Sequence, residues 1–300
     1  MNMNKNNIKV DFLSKTKVAI FFSATIIVLG LISLFINGGP NLSIDFTGGT
    51  VIRIEFDDNI KIDQIRSLLS KSSLKNAEIT EIFEIGNPKK EFRIKTNINQ
   101  STGALNKKLL KTLENFSPEI RKIENVGPKI GGELQTQAIY AICLALIMLM
   151  IYIGFRFDRF YAFGSVLAII HDVMFTLGIF SMLQLEIDLS IIAAFLTIVG
   201  YSLNDTIVIF DRFRENSEKD LDLNLKELSN LSLNQTLSRT IITSLTTLIV
   251  VIILYYIGGE VIKYFAFALI IGVLVGTYSS IFVASPFMLY LKSKYKIKEE

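Results

Sequence analysis

Long runs of hydrophobic residues alternate with shorter polar segments along the whole chain. A run of about 18 or more apolar residues is long enough to cross a hydrocarbon core of about 30 Å as an α-helix. Six runs reach this length and predict six transmembrane helices. They cover residues 18–36, 136–155, 161–183, 189–210, 240–257 and 264–290.

The first hydrophobic run begins close to the amino terminus, where a secretory signal peptide would also lie. Its apolar stretch is longer than the apolar region of a typical signal peptide, which has about 7–15 residues. The sequence "NGGPN" that follows offers no clear small-x-small cleavage site. We therefore interpret the run as an uncleaved membrane anchor.

The insert between the first two spans has the patterns of a folded domain. "TVIRIEF" alternates like a strand, and "IDQIRSLLSKS" places its apolar residues on one helical face. "AEITEIFEIG" and "EFRIKTN" are predicted strands joined by a turn at Asn87 and Pro88. "STGALNKKLLKTLENF" is a predicted helix with Ser101 as N-cap, and "EIRKIENVG" is a last strand. The β-α-β-β-α-β order predicts an α+β ferredoxin-like domain.

Basic residues flank alternate ends of the six spans. They precede the first span, separate the second from the third, surround the segment between the fourth and fifth, and follow the sixth. The positive-inside rule therefore predicts that both termini are cytoplasmic. The insert then lies on the outer, periplasmic side, because long domains translocate regardless of their charge.

The predicted fold class is thus an α-helical membrane protein with six transmembrane helices and one ferredoxin-like outer domain. It has four parts: a cytoplasmic amino terminus with the first helix (1–36), the periplasmic domain (37–134), a five-helix bundle (135–291) with a cytoplasmic loop at 211–239, and a basic cytoplasmic tail (292–300). Leucines in the loop are spaced like one face of a helix. This predicts either a short amphipathic helix or a solvated linker.

Composition excludes several classes of function. Half of the residues are hydrophobic, and the net charge of +3 gives no indication of nucleic-acid binding. Cys143 is the only cysteine, so no disulfide within the chain is possible. The sequence has no Cys/His cluster, no P-loop and no Rossmann glycine pattern, and we therefore expect neither a bound metal nor a nucleotide cofactor.

Asp205 is a carboxylate inside the fourth span. It lies six residues beyond Val199, near the middle of that span, or about 9 Å toward the cytoplasm at 1.5 Å per residue. An ionisable residue at the helix centre costs about 2.5–3.5 kcal/mol on insertion scales, and less toward the ends. Burial favours a neutral acid and a nearby cation favours the anion, so Asp205 is a candidate proton relay. The alternative is a carboxylate that only anchors two helices by a hydrogen bond.

Arg239 is the predicted partner of Asp205, because it lies at the cytoplasmic end of the neighbouring fifth span. Thr243 and Thr246 follow at i+4 and i+7 and share a helical face with it. The alternative is an arginine that only anchors the helix end at the membrane surface.

Three further polar residues in the spans are weaker candidates. His171 and Asp172 lie near the middle of the third span, and a histidine titrates near neutral pH. Adjacent helical residues point about 100° apart, so we expect the two not to face one partner equally. Asn204 is a candidate for a hydrogen bond between helices. For each residue a packing role remains the alternative. Asp211, Arg212, Arg214 and Glu215, by contrast, are interpreted as ion pairs that mark the membrane exit.

Two features involve glycine. "GVLVG" in the sixth span has the GxxxG spacing that allows helices to pack closely, either within this subunit or against a partner. "IDFTGGT" and "VGPKIGGEL" lie at the two necks that join the insert to the membrane spans. We expect these necks to act as hinges.

Five phrases in this order resemble the SecF family, whose members form one subunit of the bacterial SecD–SecF protein-export complex. They are "IDFTGGT", "VGPKIGGEL", "HDVMFTLGIF", "YSLNDTIVIFDRFREN" and "LSRTIITSLTTL". The resemblance covers nearly the whole chain, and the family is related to the resistance-nodulation-division transporters. It implies a subunit that uses the proton gradient to promote export of preproteins emerging from the SecYEG channel in the bacterial inner membrane.

The resemblance also implies partners and residue roles. The implied partners are SecD, SecYEG and translocating preproteins, and no nucleic acid is expected. The proton is the coupling ion, so neither a cofactor nor covalent chemistry is expected. Asp205 and Arg239 match the family's proton-path positions, and the residues themselves make His171, Asp172 and Asn204 further candidates for that path. One alternative is a subunit of a proton-coupled small-molecule exporter, although such exporters usually have two large outer domains and twice as many spans. The other is a translocon scaffold that uses no energy.

Overall fold

The computed structural model describes residues 10–56, 60–70, 74, 77–82, 89–96, 102–219 and 223–299. Two compact units can be separated: the membrane unit (Met1–Asn41 with Tyr140–Glu300) and the insert unit (Leu42–Ile139). Within the described ranges, six helical segments are long and apolar enough to cross a membrane. These segments are Leu13–Ile36, Pro128–Arg156, Arg159–Met182, Leu189–Ser217, Leu225–Ile257 and Ile262–Tyr295. The prediction of a six-span membrane protein is confirmed.

Ten α-helices and four strands are described. The helices are α1 Thr16–Ile36, α2 Ile44–Thr47, α3 Ile62–Leu69, α4 Thr102–Leu113, α5 Pro128–Arg156, α6 Arg159–Met182, α7 Leu189–Ser217, α8 Leu225–Ile257, α9 Glu260–Ser279 and α10 Ser285–Glu299. The strands are β1 Gly49–Phe56, β2 Glu78–Ile82, β3 Lys90–Thr96 and β4 Pro118–Val126.

The segment predicted as a cytoplasmic loop, 211–239, is helical over most of its described length, and its cytoplasmic location stays a prediction. Helix α7 continues to Ser217, and α8 already begins at Leu225. Asn224 starts α8 with a capping box, since its side chain accepts a hydrogen bond from the Glu227 N–H at 2.9 Å and the Glu227 carboxylate accepts one from the Asn224 N–H at 3.2 Å. The leucine-spaced segment is therefore the first part of the fifth spanning helix rather than a separate surface helix.

Glycines allow the spanning helices to approach one another closely. A Cβ atom on Gly30 of α1 would lie 2.4 Å from the Gly178 Cα atom of α6. A Cβ atom on Gly272 of α9 would lie 2.1 Å from the Ile198 side chain of α7, and one on Gly276 would lie 3.1 Å from the Ser202 Cβ atom. The "GVLVG" motif thus packs α9 against α7 within this chain, as one of the two predicted uses of the motif requires.

The sixth spanning segment contains one widened turn. A π-helical turn, Ser280–Ala284, separates α9 from α10, and Pro286 follows it. Proline has no N–H to donate to the preceding turn, which accounts for a local departure from α-helical bonding. The Ser285 hydroxyl donates to the Ser280 carbonyl of this turn at 2.8 Å.

The insert unit is a four-stranded antiparallel sheet in the order β2-β3-β1-β4. In its registers Thr50 faces Thr96 and Gly49 faces Val126. The core lies between the sheet and the helices, because buried residues of α3 and α4 join those of the strands in one apolar cluster. The predicted order of strands and helices is confirmed; the predicted turn at Asn87 and Pro88 and the Ser101 cap lie outside the described residues.

The glycine necks are closely packed within the insert unit. Gly48 follows α2 with φ +72°, a conformation that favours glycine. A Cβ atom there would lie 2.8 Å from the Pro128 Cα atom, and one on Gly131 would lie 2.8 Å from the Phe46 carbonyl oxygen. Gly131 also belongs to the first turns of α5. These glycines therefore serve close packing, and the expectation that the necks act as hinges stays a prediction.

Candidate functional site

Asp172 is the centre of a hydrogen-bond network inside the membrane unit. It is fully buried on α6. Its Oδ2 atom accepts hydrogen bonds from the Ser202 hydroxyl of α7 at 2.6 Å and from the Ser279 hydroxyl of α9 at 2.7 Å. Three spanning segments therefore meet at one carboxyl group, which satisfies the requirement that a polar group in the bilayer has partners.

His171 contacts the other oxygen of the same carboxyl group. The His171 Nδ1 atom lies 2.9 Å from the Asp172 Oδ1 atom. The imidazole ring stacks on Tyr278 of α9 with a centroid distance of 6.2 Å. Its buried Nε2 atom has no hydrogen-bond partner among the described residues. The two side chains start about 100° apart on α6 and contact each other. Toward α9 they meet different residues, since the His171 ring stacks on Tyr278 and the Asp172 carboxyl group bonds Ser279.

Asp205 is buried between α7, α8 and α9, with 2% of its surface exposed. The Thr277 hydroxyl of α9 donates to the Asp205 Oδ2 atom at 3.2 Å. The Ser244 hydroxyl of α8 lies 2.6 Å from the Thr277 hydroxyl. A carboxyl group and two hydroxyl groups thus form a short polar chain across three helices.

The seam between α7 and α9 connects the two carboxyl groups. Ser202, which bonds Asp172, lies three residues before Asp205, or about 4.5 Å along the axis of α7. Ser279 lies two residues beyond Thr277, the partner of Asp205. A further hydroxyl pair of this seam, Thr206 and Ser280, is 2.8 Å apart.

Arg239 does not contact Asp205 directly. Its side chain is exposed, and no carboxylate among the described residues lies within ion-pair distance of it. The hydroxyl of Thr243 bonds back to the Arg239 carbonyl, and Thr246 is exposed. The prediction of which face of α8 is directed toward Asp205 is therefore wrong by one residue, which is a rotation of about 100° about the helix axis. Ser244, rather than Thr243, lies on that face.

Asn204 lies on the exposed face of α7. It neighbours Asp205 in the sequence, but the helical turn of about 100° per residue directs the two side chains differently. The part of the chain that the structure describes offers its side chain no hydrogen bond. The predicted bond between helices is therefore not found.

The charged cluster at the end of α7 forms the local ion pairs expected of it. Arg212 lies 2.8 Å from Glu215, and Arg214 lies 3.2 Å from Asp211. Arg156, at the end of α5, lies 3.6 Å from the same Asp211 carboxylate.

Sequence reasoning missed the hydroxyl groups that hold the two carboxyl groups, namely those of Ser202, Ser244, Thr277 and Ser279. A signal for them was present, because Thr277, Ser279 and Ser280 cluster in an otherwise apolar span and Ser202 lies one helical turn before Asp205. Within the described ranges no three His, Cys, Asp or Glu side chains are grouped so as to hold a metal ion.

Two family models match the sequence. The family described as "Protein export membrane protein SecD/SecF, C-terminal" matches residues 105–294, which is more than half of the chain. The family described as "SecD/SecF GG Motif" matches residues 32–60, the region of the first neck.

Similar proteins cover almost the whole chain. The protein translocase subunit SecF of Thermodesulfovibrio yellowstonii is 43% identical over 302 residues, covering 99% of this chain and 98% of the relative. The subunit SecF of Haemophilus influenzae is 43% identical over 275 residues, covering 91% of this chain and 83% of that relative.

Among solved structures, the crystal structure of SecDF from Thermus thermophilus, described as a translocon-associated membrane protein, aligns with a TM-score of 0.85 and 37% identity. The alignment covers 95% of this chain but 39% of the SecDF chain, so the present chain spans less than half of that protein. From the family matches and the full-length relatives it follows that the chain belongs to the SecD/SecF family of protein-export membrane proteins, as a SecF subunit of the protein translocase.

Proposed function

We propose that this subunit acts with a separate SecD protein in the bacterial inner membrane and uses the proton gradient to promote export of preproteins emerging from the SecYEG channel. As a translocase subunit it is a membrane component of protein export and not an enzyme. A separate SecD partner is supported by the SecDF relative, in which a single chain extends well beyond the part that aligns here.

The observation that carries the proposal is the pair of buried carboxyl groups, Asp172 and Asp205, on neighbouring spanning helices. A buried carboxyl group in a membrane is costly, and such groups commonly mark ion and proton pathways. Both groups are held by hydroxyls of α7 or α9, so a change of charge at either one acts on the same helix seam.

Protonation of Asp205 changes the hydrogen bonds of this seam. An ionised carboxylate only accepts, so the Thr277 hydroxyl donates to it and accepts from Ser244. A protonated Asp205 is itself a donor, and the Thr277 hydrogen is then free to turn toward Ser244. One proton therefore reverses the donor direction of the hydrogen bonds that join α7, α9 and α8, and we propose that the packing of these helices responds to that change.

His171 and Asp172 form the second, less central part of the proposed route. The imidazole has one nitrogen at the Asp172 carboxyl group and the other directed away from it. Such a ring can receive a proton at one nitrogen and release it from the other. Arg239 is assigned the role of a charge that favours the ionised form of Asp205 through space, since the two groups are not in contact.

We assign both termini to the cytoplasm and the insert unit to the periplasm, on the basis of the basic flanks. The antiparallel β2-β3-β1-β4 sheet with two helices supports a ferredoxin-like fold for the insert. We propose that this domain contacts the emerging preprotein while the membrane unit changes state.

The test is Asp205→Asn in inverted membrane vesicles that contain the translocase. We expect the variant to assemble with its partners but to lose the part of export that depends on the proton gradient. Asp211→Asn is the matched control, because Asp211 is on the same helix but belongs to the exit ion pairs. Unchanged gradient-dependent export in Asp205→Asn would leave a scaffold role instead, and a proton flux driven by a small molecule would favour an exporter.

A further inference from the structure

A short segment before the first spanning helix lies across the beginning of α8. This segment, residues 10–13, contacts the part of α8 that precedes its hydrophobic run, residues 225–239, here called the α8 extension. Asn230 and Asn234 of the extension bond the segment, and their i, i+4 spacing places them on one face of the helix.

The two asparagines hold the segment by its backbone. Asn234 accepts from the Val10 N–H at 3.0 Å and donates to the Val10 carbonyl at 2.8 Å. Asn230 accepts from the N–H groups of Phe12 and Leu13, at 3.0 and 3.2 Å. Its amide nitrogen donates to the Asp11 carboxylate at 2.8 Å.

Asparagine is suited to this task and poorly suited to a helix interior. Its amide both donates and accepts, so one side chain can pair with a backbone N–H and a carbonyl at the same time. Its helix propensity is lower than that of leucine, lysine or glutamate. Asn230 is nevertheless 4% exposed within α8, which indicates that its hydrogen bonds to the segment compensate for a residue that does not favour the helix.

The same segment also contacts the sixth spanning region. The Phe12 ring packs edge-on against Phe282 in the π-helical turn, with a centroid distance of 6.3 Å. Phe282 in turn packs against Tyr278 at 5.2 Å, and Tyr278 stacks on His171. Residues 10–13 therefore contact both the helix that carries Arg239 and the turn that leads to the Asp172 network.

We infer that residues 10–13, held by Asn230 and Asn234, are a clasp that fixes the α8 extension against the π-helical turn and thereby positions Arg239 for the proton route. Asn234 lies five residues before Arg239, or about 7.5 Å along the same helix, so a displaced extension moves Arg239 with it. Asn230 and Asn234 are positioning residues, which act through Arg239. The clasp stays closed throughout the working cycle. This inference rests on the proposed function, because the clasp is assigned to the proton route.

The experiment uses the full chain in vesicles and compares Asn230→Ala with Asn234→Ala, the double variant, and Ser238→Ala as control. Ser238 is an exposed residue on the same α8 extension. We expect gradient-dependent export to fall at least about fivefold in the double variant. This factor corresponds to about 1 kcal/mol, the net contribution of one hydrogen bond, and the double variant removes five of them. Export measured without a gradient stays at the control value, and the crosslink rescue described next distinguishes loss of the clasp from a general folding defect.

A reversible crosslink supplies the rescue. Val10→Cys and Asn234→Cys are introduced together with Cys143→Ser, which removes the only native cysteine. We expect weak gradient-dependent export before crosslinking, recovery after treatment with a short reducible thiol crosslinker, and loss again on reduction. A crosslink that blocks export, or a double alanine variant that exports like Ser238→Ala, overturns the clasp.

Asp205→Asn is measured in the same vesicles to separate the two proposals. If Asp205→Asn loses gradient-dependent export while the double alanine variant keeps it, the clasp is wrong and the proposed function stands. If Asp205→Asn exports normally, the proposed function is wrong, and the clasp as a part of that route is wrong with it.

Discussion

Gly276 connects the packing of two spanning helices directly to the Asp172 network. A Cβ atom at this position would lie 3.1 Å from the Ser202 Cβ atom, closer than side chains normally approach. Ser202 is also the residue whose hydroxyl holds Asp172 at 2.6 Å. The substitution Gly276→Ala therefore forces α7 and α9 apart by a few tenths of an ångström at the point where both contact the buried carboxyl group.

Two effects of opposite sign determine the stability of this variant. Replacing glycine by alanine in a helix interior stabilises it by about 0.8–1 kcal/mol. Overpacking a close contact costs about 1–3 kcal/mol. Gly200 provides the matched control, because it lies in α7 and a Cβ atom there would meet nothing within 4 Å. The difference between Gly276→Ala and Gly200→Ala cancels the propensity effect, and we expect it to be about 1–3 kcal/mol.

The measurement is unfolding of the full-length protein by sodium dodecyl sulfate in bicelles, with gradient-dependent export as a second readout. Gly200→Ala should be at least as stable as the natural protein and should export normally. Gly276→Ala should unfold more readily and export less, because the displaced Ser202 hydroxyl weakens its bond to Asp172. Stability effects at independent sites are additive to within about 0.5 kcal/mol. If the free energies of unfolding of the two variants differ by less than this, the close contact at Gly276 does not exist as described.

Two further predictions concern single side chains. Ser244→Ala should lower gradient-dependent export, because it removes the hydroxyl next to Thr277. Thr246→Val is the control, since Thr246 lies on the exposed face of α8 and its replacement should leave export unchanged. Equal effects of the two substitutions would refute the conclusion that Ser244 faces Thr277 and Thr246 does not. In the insert unit, burial raises the pKa of Glu55, but hydrogen bonds from Arg121 and Lys89 outweigh it, so the pKa lies below its ordinary value of 4.5. Glu55 then stabilises the sheet above pH 4.5 and loses this contribution as the pH falls further. Amide exchange of β1 should show this step, and Glu55→Gln should remove it.

The sequence predicts the number of spans and the order of elements in the insert because both depend on local patterns. Hydrophobic length identified all six spanning helices, and residue alternation identified β1. At 211–239 the leucine spacing leaves a short helix and a solvated linker open, and only the structure shows that α8 begins at Leu225, after a capping box of Asn224 and Glu227. Hydropathy measures affinity for lipid, and a helix that continues beyond the membrane surface does not need that affinity.

The site was only partly predictable, for a related reason. The buried carboxyl groups stand out because a charge in an apolar run is unusual. Their partners do not, because serine and threonine are common in spanning helices and often bond to their own backbone, as Thr243 and Thr246 do here. Which hydroxyl faces a carboxyl group depends on helix rotation, and one residue of error changes the face by about 100°.

In this seam the same residues provide helix packing and the candidate chemistry. Lipid supplies no hydrophobic force between helices, so α7 and α9 associate through close glycine contacts and hydroxyl hydrogen bonds. The close approach that holds them also buries Asp172 and Asp205, and burial strengthens each hydrogen bond made to those groups. Substitutions within the seam will therefore change stability and transport together. Asn230 and Asn234 lie outside the seam, at the clasp. Substitutions there therefore distinguish an effect on the position of Arg239 from an effect on stability better than substitutions within the seam do.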